Sequence, residues 1–171
     1  MKTIFSLFDE KTDSETARLI LAKTKQEFKK IPNLEKTMAL ALTLLDTYSI
    51  CWSLFKKTFL SAINQQIVYQ TANFKNECDY CVPWHTLLSK KVKMPPEDTQ
   101  ALKTGTKLSN NIYEELRHFT RTLIHSQGNI AQANLNPFLA TGYTPQQALE
   151  GVLGIAIKTM IIIRILLQVH L

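Results

Sequence analysis

The sequence predicts an all-α protein, a compact helical bundle. Three observations lead there. Apolar residues recur at helical spacing along most of the 171-residue chain. Capping residues and prolines punctuate that pattern where helices should start. The one run with strand character, Ile67-Val68-Tyr69, has no evident partner strand elsewhere.

The elements follow in order. Thr12-Asp13-Ser14-Glu15 reads as a capping box, with Glu15 three residues after Thr12. Ala17, Ile20, Leu21, Thr24, Phe28 and Ile31 then share one helical face. Pro32-Asn33 ends that element, and Asn33 can cap the next. Residues 34–44 and 47–60 are expected to form two further helices, and 62–74 another. Met94-Pro95-Pro96-Glu97-Asp98 opens a helix, with Pro in the first turn and acids at the positive dipole end. Ile112, Leu116, Phe119 and Leu123 form an amphipathic stripe ending near Gly128. Thr144-Pro145-Gln146-Gln147 combines an N-cap, Pro at the first position and Gln at the third, and a long apolar helix follows.

Bulk properties bound the reading. The length and a 45% hydrophobic content fit one domain over residues 1–171 with a real core. The net charge is +6, but ten of the twenty Lys/Arg precede residue 60 and ten follow it. No basic block interleaves with aromatics, so no nucleic-acid partner is expected. Met1 to Glu10 does not read as a secretory signal, because its apolar stretch is short and acids follow at once. Gly151 to Leu171 is very apolar, but Lys158, Arg164 and His170 interrupt it. A buried or subunit-interface helix is expected there rather than a membrane span. Three cysteines without an export signal point to the cytoplasm, where a close pair is catalytic or metal-binding rather than a staple.

That pair is Cys78-Asp79-Tyr80-Cys81, with His85 four residues further on. Pro83 cannot sit deep in a helix, so a helix containing His85 should begin near Asp79, a good N-cap. Cys81 then lies in the first turn, where free N–H groups and the helix dipole favour a thiolate. Cys81 and His85 share one helix face, so the imidazole can take a proton from the thiol or hold the thiolate. The two-residue spacing also lets Cys78 and Cys81 close a disulfide.

Peroxide reduction needs such an arrangement. A thiolate attacks the O–O bond and becomes a sulfenic acid, a second thiol condenses with it, and an external dithiol reduces the disulfide. Cys81 is expected to react with peroxide, and Cys78 to resolve it and meet the reductant; the reverse order stays open. Alternatively, Cys78, Cys81 and His85 are three-quarters of a zinc site, which Cys51 or Glu77 would have to complete. Cys51, between Ile50 and Trp52, reads as an inert core thiol. His118, His125 and His170 have no chemical neighbours in sequence.

The segment Gln66 to Thr86 resembles the AhpD-like alkylhydroperoxidase branch of the carboxymuconolactone decarboxylase family. Phe138 to Gln147 and Gly154 to Thr159 are similar to that family too, and the likeness covers roughly residues 33–160. It implies an AhpD-like helical bundle that oligomerises, commonly as trimers or hexamers. It implies thiol-dependent peroxidase or disulfide reductase activity without a bound cofactor, and matches Cys78, Cys81 and His85 to the family's catalytic residues. The implied partners are a hydroperoxide substrate and an external dithiol or thioredoxin-like reductant.

Two positions depart from the family pattern. Where some members carry a glutamate that feeds a proton relay to the histidine, this chain has Gln66, which hydrogen-bonds but does not titrate. Where the AhpD prototype has a second histidine between the cysteines, this chain has Tyr80, a poor base at neutral pH. A thiol–disulfide oxidoreductase with weak peroxidase activity is therefore a second reading. Lactone decarboxylation is disfavoured because it needs no cysteine pair, and a structural zinc or interaction module is the remaining alternative.

Overall fold

A computed structural model describes residues 5–161. The expectations that fall on the C-terminal run from Ile162, including Arg164 and His170, lie outside the described residues. All regular structure within them is helical: α1 (Glu15–Phe28), α2 (Asn33–Met38), α3 (Leu42–Phe55), α4 (Ala62–Lys75), α5 (Cys81–Lys91), α6 (Pro96–Thr104), α7 (Asn111–His125), α8 (Gln132–Ala140) and α9 (Pro145–Ile161). The all-α expectation therefore holds. Among the described residues no helix is long and apolar enough to cross a membrane.

The chain divides into two units, one of residues up to Ser53 with those from Met160, the other of Leu54–Thr159. In the first unit Ala17 and Leu21 are the fully buried residues of α1, and Leu34 and Met38 are buried on α2. Trp52 meets Phe28 edge-on at 6.3 Å between ring centroids and Tyr48 at 6.0 Å. Helix α1 is capped by Ser14, whose side chain accepts the Ala17 N–H, so the cap falls two residues after the expected Thr12. Asn33 is the first residue of α2 rather than its cap, which is Pro32. The apolar pattern over 34–60 hides a break: tight turns close from Leu40 N–H to Thr37 O and from Ala41 N–H to Met38 O, and α3 restarts from the Ala41 carbonyl. The first expected helix, 34–44, accordingly stops six residues early, at Met38, and the second, 47–60, lies five residues earlier, at Leu42–Phe55.

The second unit is organised on α4, which packs against α5, α6 and α7, while α7 packs on α8. Every residue of α4 from Asn64 to Asn73 is buried. That includes Asn64, Gln65, Gln66, Gln70 and Asn73, polar side chains that a surface helix would turn to water. Ser61 starts α4 by accepting the Asn64 N–H. The expected stripe on α7 is buried at Leu116, Phe119 and Leu123, whereas Ile112 is 45% exposed. Phe119, Phe138 and Tyr143 stack in succession at 4.3 and 4.6 Å. The predicted box at the start of α9 is present: Gln147 N–H donates to Thr144 Oγ1, and Thr144 N–H donates to Gln147 Oε1. Gly154 lets α9 approach closely, since a Cβ there would lie 2.6 Å from Phe55 Cζ and 2.7 Å from Val68 Cγ1.

Candidate active site

The site begins where α4 stops. Glu77 takes the left-handed conformation (φ 50°), its N–H donates to Phe74 O, and Cys78 N–H donates to Asn73 O. This is a Schellman closure formed without glycine. It delivers Cys78 directly to the head of α5.

Asp79 does not cap α5. Cys78 does the work of a cap: its carbonyl accepts the N–H groups of Cys81 and Val82, and its Sγ lies 3.2 Å from the Cys81 nitrogen that donates to it. Tyr80, half-buried, precedes the first helical residue. Pro83 falls in the first turn, where no intrahelical N–H is needed. Cys78 and Cys81 are joined as a disulfide, with Cα atoms 5.2 Å apart.

The two sulfurs differ in surroundings. An open cleft of about 520 Å³ meets the bridge at Cys78 and is lined also by Phe74, Lys75, Asp79, Pro83 and Lys103. The left-handed Gly105 (φ 72°) makes room for the Phe74 ring, whose Cζ would be 2.4 Å from an added Cβ. Cys81 is the more buried of the pair, at 3% exposure against 8%.

His85, one turn after Cys81 on α5, is almost fully buried. Its Nδ1 lies 2.9 Å from Gln66 Oε1 on α4, and its Nε2 lies 3.1 Å from Lys158 Nζ on α9. An ammonium has donors only, so Nε2 accepts from Lys158. The ring proton is then on Nδ1 and donates to Gln66 Oε1. Burial first, and the Lys158 charge second, hold His85 well below the ordinary histidine value of 6.5, so the imidazole is neutral. The Tyr69 ring flanks the group, 4.9 Å from the imidazole and 5.7 Å from Lys158 Nζ.

A polar brace supports this end of α5. Gln70 donates to Val82 O and to Thr86 Oγ1, and Asn73 Nδ2 donates to Gln70 Oε1. The site therefore gathers Cys78, Cys81, His85 and Gln66, with Tyr80 beside the bridge in sequence. Cys51 is a free, half-buried thiol on α3. His118 is half-buried and His125 exposed. Among the described residues no group of three His, Cys, Asp or Glu side chains is placed to hold a metal ion.

Lys158 is the residue that sequence reasoning passed over as a site residue. There it figured as an interruption of an apolar helix and as part of the Gly154 to Thr159 likeness, yet it is 2% exposed and touches His85. Its position four residues after Gly154, on the face that packs most closely, is the signal that could have found it. Compared with known proteins, the chain matches no family model and no curated relative.

Proposed function

We propose that the chain is a thiol-dependent peroxidase of the AhpD-like type, reducing hydrogen peroxide or organic hydroperoxides through Cys78 and Cys81. The observation that carries this reading is the asymmetry of the bridge: both cysteines are buried, but Cys78 lines an open cleft, while Cys81, the more buried of the two, lies one turn before His85. In the cycle, the Cys81 thiolate attacks a peroxide oxygen and breaks the O–O bond. Cys81 becomes a sulfenic acid, and the departing alkoxide takes a proton from solvent to leave as alcohol or water. The Cys78 thiol then condenses with the sulfenic acid, releasing water and closing the disulfide.

An external dithiol of thioredoxin-like chemistry regenerates the pair. Its thiolate attacks the sulfur of Cys78, which lines the cleft, and expels Cys81 as a thiolate. Its second thiol then displaces Cys78, so two electrons return to the protein and the reductant leaves as a disulfide. The enzyme works in a reducing compartment such as the cytoplasm, as a homo-oligomer, without a bound cofactor.

Purified protein should consume cumene hydroperoxide when a dithiol is supplied. Cys81→Ser should abolish consumption, and Cys78→Ser should stop after one oxidation with a sulfenic acid trapped at Cys81. Undiminished turnover by the double Cys→Ser variant would overturn the reading. A second reading, a thiol–disulfide oxidoreductase with weak peroxidase activity, is favoured by one observation: the group on His85 Nδ1 is the amide of Gln66, which does not titrate. Rates on a peroxide and on a disulfide substrate separate the two.

A further inference from the structure

We propose that the outer face of α9 is an interface between two copies of this chain, packed antiparallel about a two-fold axis. The inference rests on the homo-oligomeric part of the reading above and names its surface. It does not depend on the redox chemistry.

The first observation is the spacing of what α9 exposes. Leu149, Val152, Ala156 and Thr159 are all exposed, Leu149 at 73% and Val152 at 48%. They recur at intervals of three, four and three residues, the seam spacing of a coiled coil. Ala148, Leu153 and Ile155 flank the seam and are half-buried. A surface helix normally turns charged and polar residues outward on this side. No large apolar side chain among the described residues is more exposed than Leu149.

The second is where the charges of α9 lie. From Pro145 to Thr159 the helix has two, Glu150 and Lys158. Lys158 is buried, and both carboxylate oxygens of Glu150 accept the Phe59 N–H. Neither occupies a seam or flanking position. Nothing on this face therefore selects a partner of opposite charge. What fits it is another uncharged helical seam, and every copy of the chain carries one.

The third is size. Bulk falls along the seam, from Leu149 and Val152 to Ala156 and Thr159. A parallel pair would set Leu149 against its own counterpart and leave a gap between the alanines. An antiparallel pair sets Leu149 opposite Thr159 of the second copy, and Val152 opposite its Ala156. Large then meets small, and a two-fold axis makes the same patch serve both copies. Two such faces bury on the order of 1,000 Å² together, the lower end for a specific contact, so association is reversible at micromolar concentration. The inner face of the same helix brings Gly154 onto Phe55 and Val68, and Lys158 onto His85. The contact thus lies behind one wall of the candidate site.

Sedimentation velocity of the full chain, reduced so that Cys51 cannot cross-link copies, tests the surface. The wild type should self-associate as its concentration rises through the micromolar range. Leu149→Asp should weaken association about tenfold or more, because the carboxylate would be buried in the contact. Leu19→Asp, at a 66% exposed position of α1, should leave it unchanged. Ala156→Asp repeats the test if Leu149→Asp does not fold. Direction is read from disulfide trapping in chains whose own three cysteines are replaced by serine. A mixture of Val152→Cys and Ala156→Cys chains should cross-link between unlike chains faster than either does with itself.

A wild type that stays monomeric would overturn both the proposal and the homo-oligomeric reading. An oligomer that Leu149→Asp and Ala156→Asp leave intact would overturn the proposal alone. Cross-linking between unlike chains that is no faster than between like ones would overturn the antiparallel packing. Failure of peroxide turnover touches neither readout and counts against the redox reading alone.

Discussion

Gln66 and Lys158 hold opposite edges of one imidazole, and this makes the site pH-sensitive in a definite direction. In the unfolded chain His85 takes up a proton near 6.5, whereas in the folded chain its midpoint lies well below that value. Below 6.5 the unfolded state therefore binds more protons than the folded one. The stability that comes from a neutral His85 is full above about pH 6.5 and drains as pH falls, by up to roughly 1.4 kcal/mol per pH unit. Glu114 does not confuse this window. Burial would raise its midpoint, but hydrogen bonds from Arg117 and the Leu108 N–H outweigh that and lower it, so its contribution is lost only below the ordinary carboxylate value of 4.5. The wild-type urea midpoint should be lower at pH 5.5 than at pH 7.5. In His85→Gln, which cannot titrate there, the drop should shrink. An equal drop in both would remove His85 as its cause.

At the scale of elements, three helices end in Schellman closures whose left-handed residue is Glu77, Lys93 or Gln127 rather than glycine. A side chain costs about 1–2 kcal/mol in that conformation. Lys93 is exposed, between α5 and α6, with Lys93 N–H on Lys90 O and Met94 N–H on Ser89 O. Lys93→Gly should therefore stabilise the protein by about 1 kcal/mol, raising Tm by about 2–4 °C. A lower Tm would show that the lysine makes a contact outweighing its backbone strain.

These ends explain what could not be read ahead of the structure. A glycine after an apolar stripe announces a stop, and a glutamate at Glu77 does not. The start of α9 was legible because Thr144, Pro145 and Gln147 each satisfy a local rule. Helix α8 was not: Ala131 offers no side-chain cap, and Pro137 lies inside the helix. Helix α4 was legible as a helix but not as a buried one, because Gln66, Gln70 and Asn73 look like a solvated face until Gln66 and Gln70 are seen to bond α5 and Asn73 to bond Gln70.

Across the molecule, the residues of the site all belong to the unit of Leu54–Thr159, and its chemistry depends on how closely helices of that unit approach. Cys78, Cys81 and His85 are close in sequence, so spacing alone suggested them. Lys158 lies 73 residues from His85 and joins it only because α9 comes down onto Phe55 and Val68 at Gly154. Gly154→Ala would place a Cβ against two fully buried side chains. It should cost about 1–3 kcal/mol in a urea titration. It should also weaken the Lys158 contact, seen as a rise in the His85 titration midpoint. A neutral effect on both would mean that α9 can slide without loss.

The central claim is that Cys78 and Cys81 form a redox-active pair, and a thiol count tests it most directly. The fully reduced chain has three cysteines. After one equivalent of peroxide, two thiols should be lost, and peptide mapping should place both in a Cys78–Cys81 disulfide with Cys51 still free. Retention of all three thiols, or loss confined to Cys51, would contradict the account.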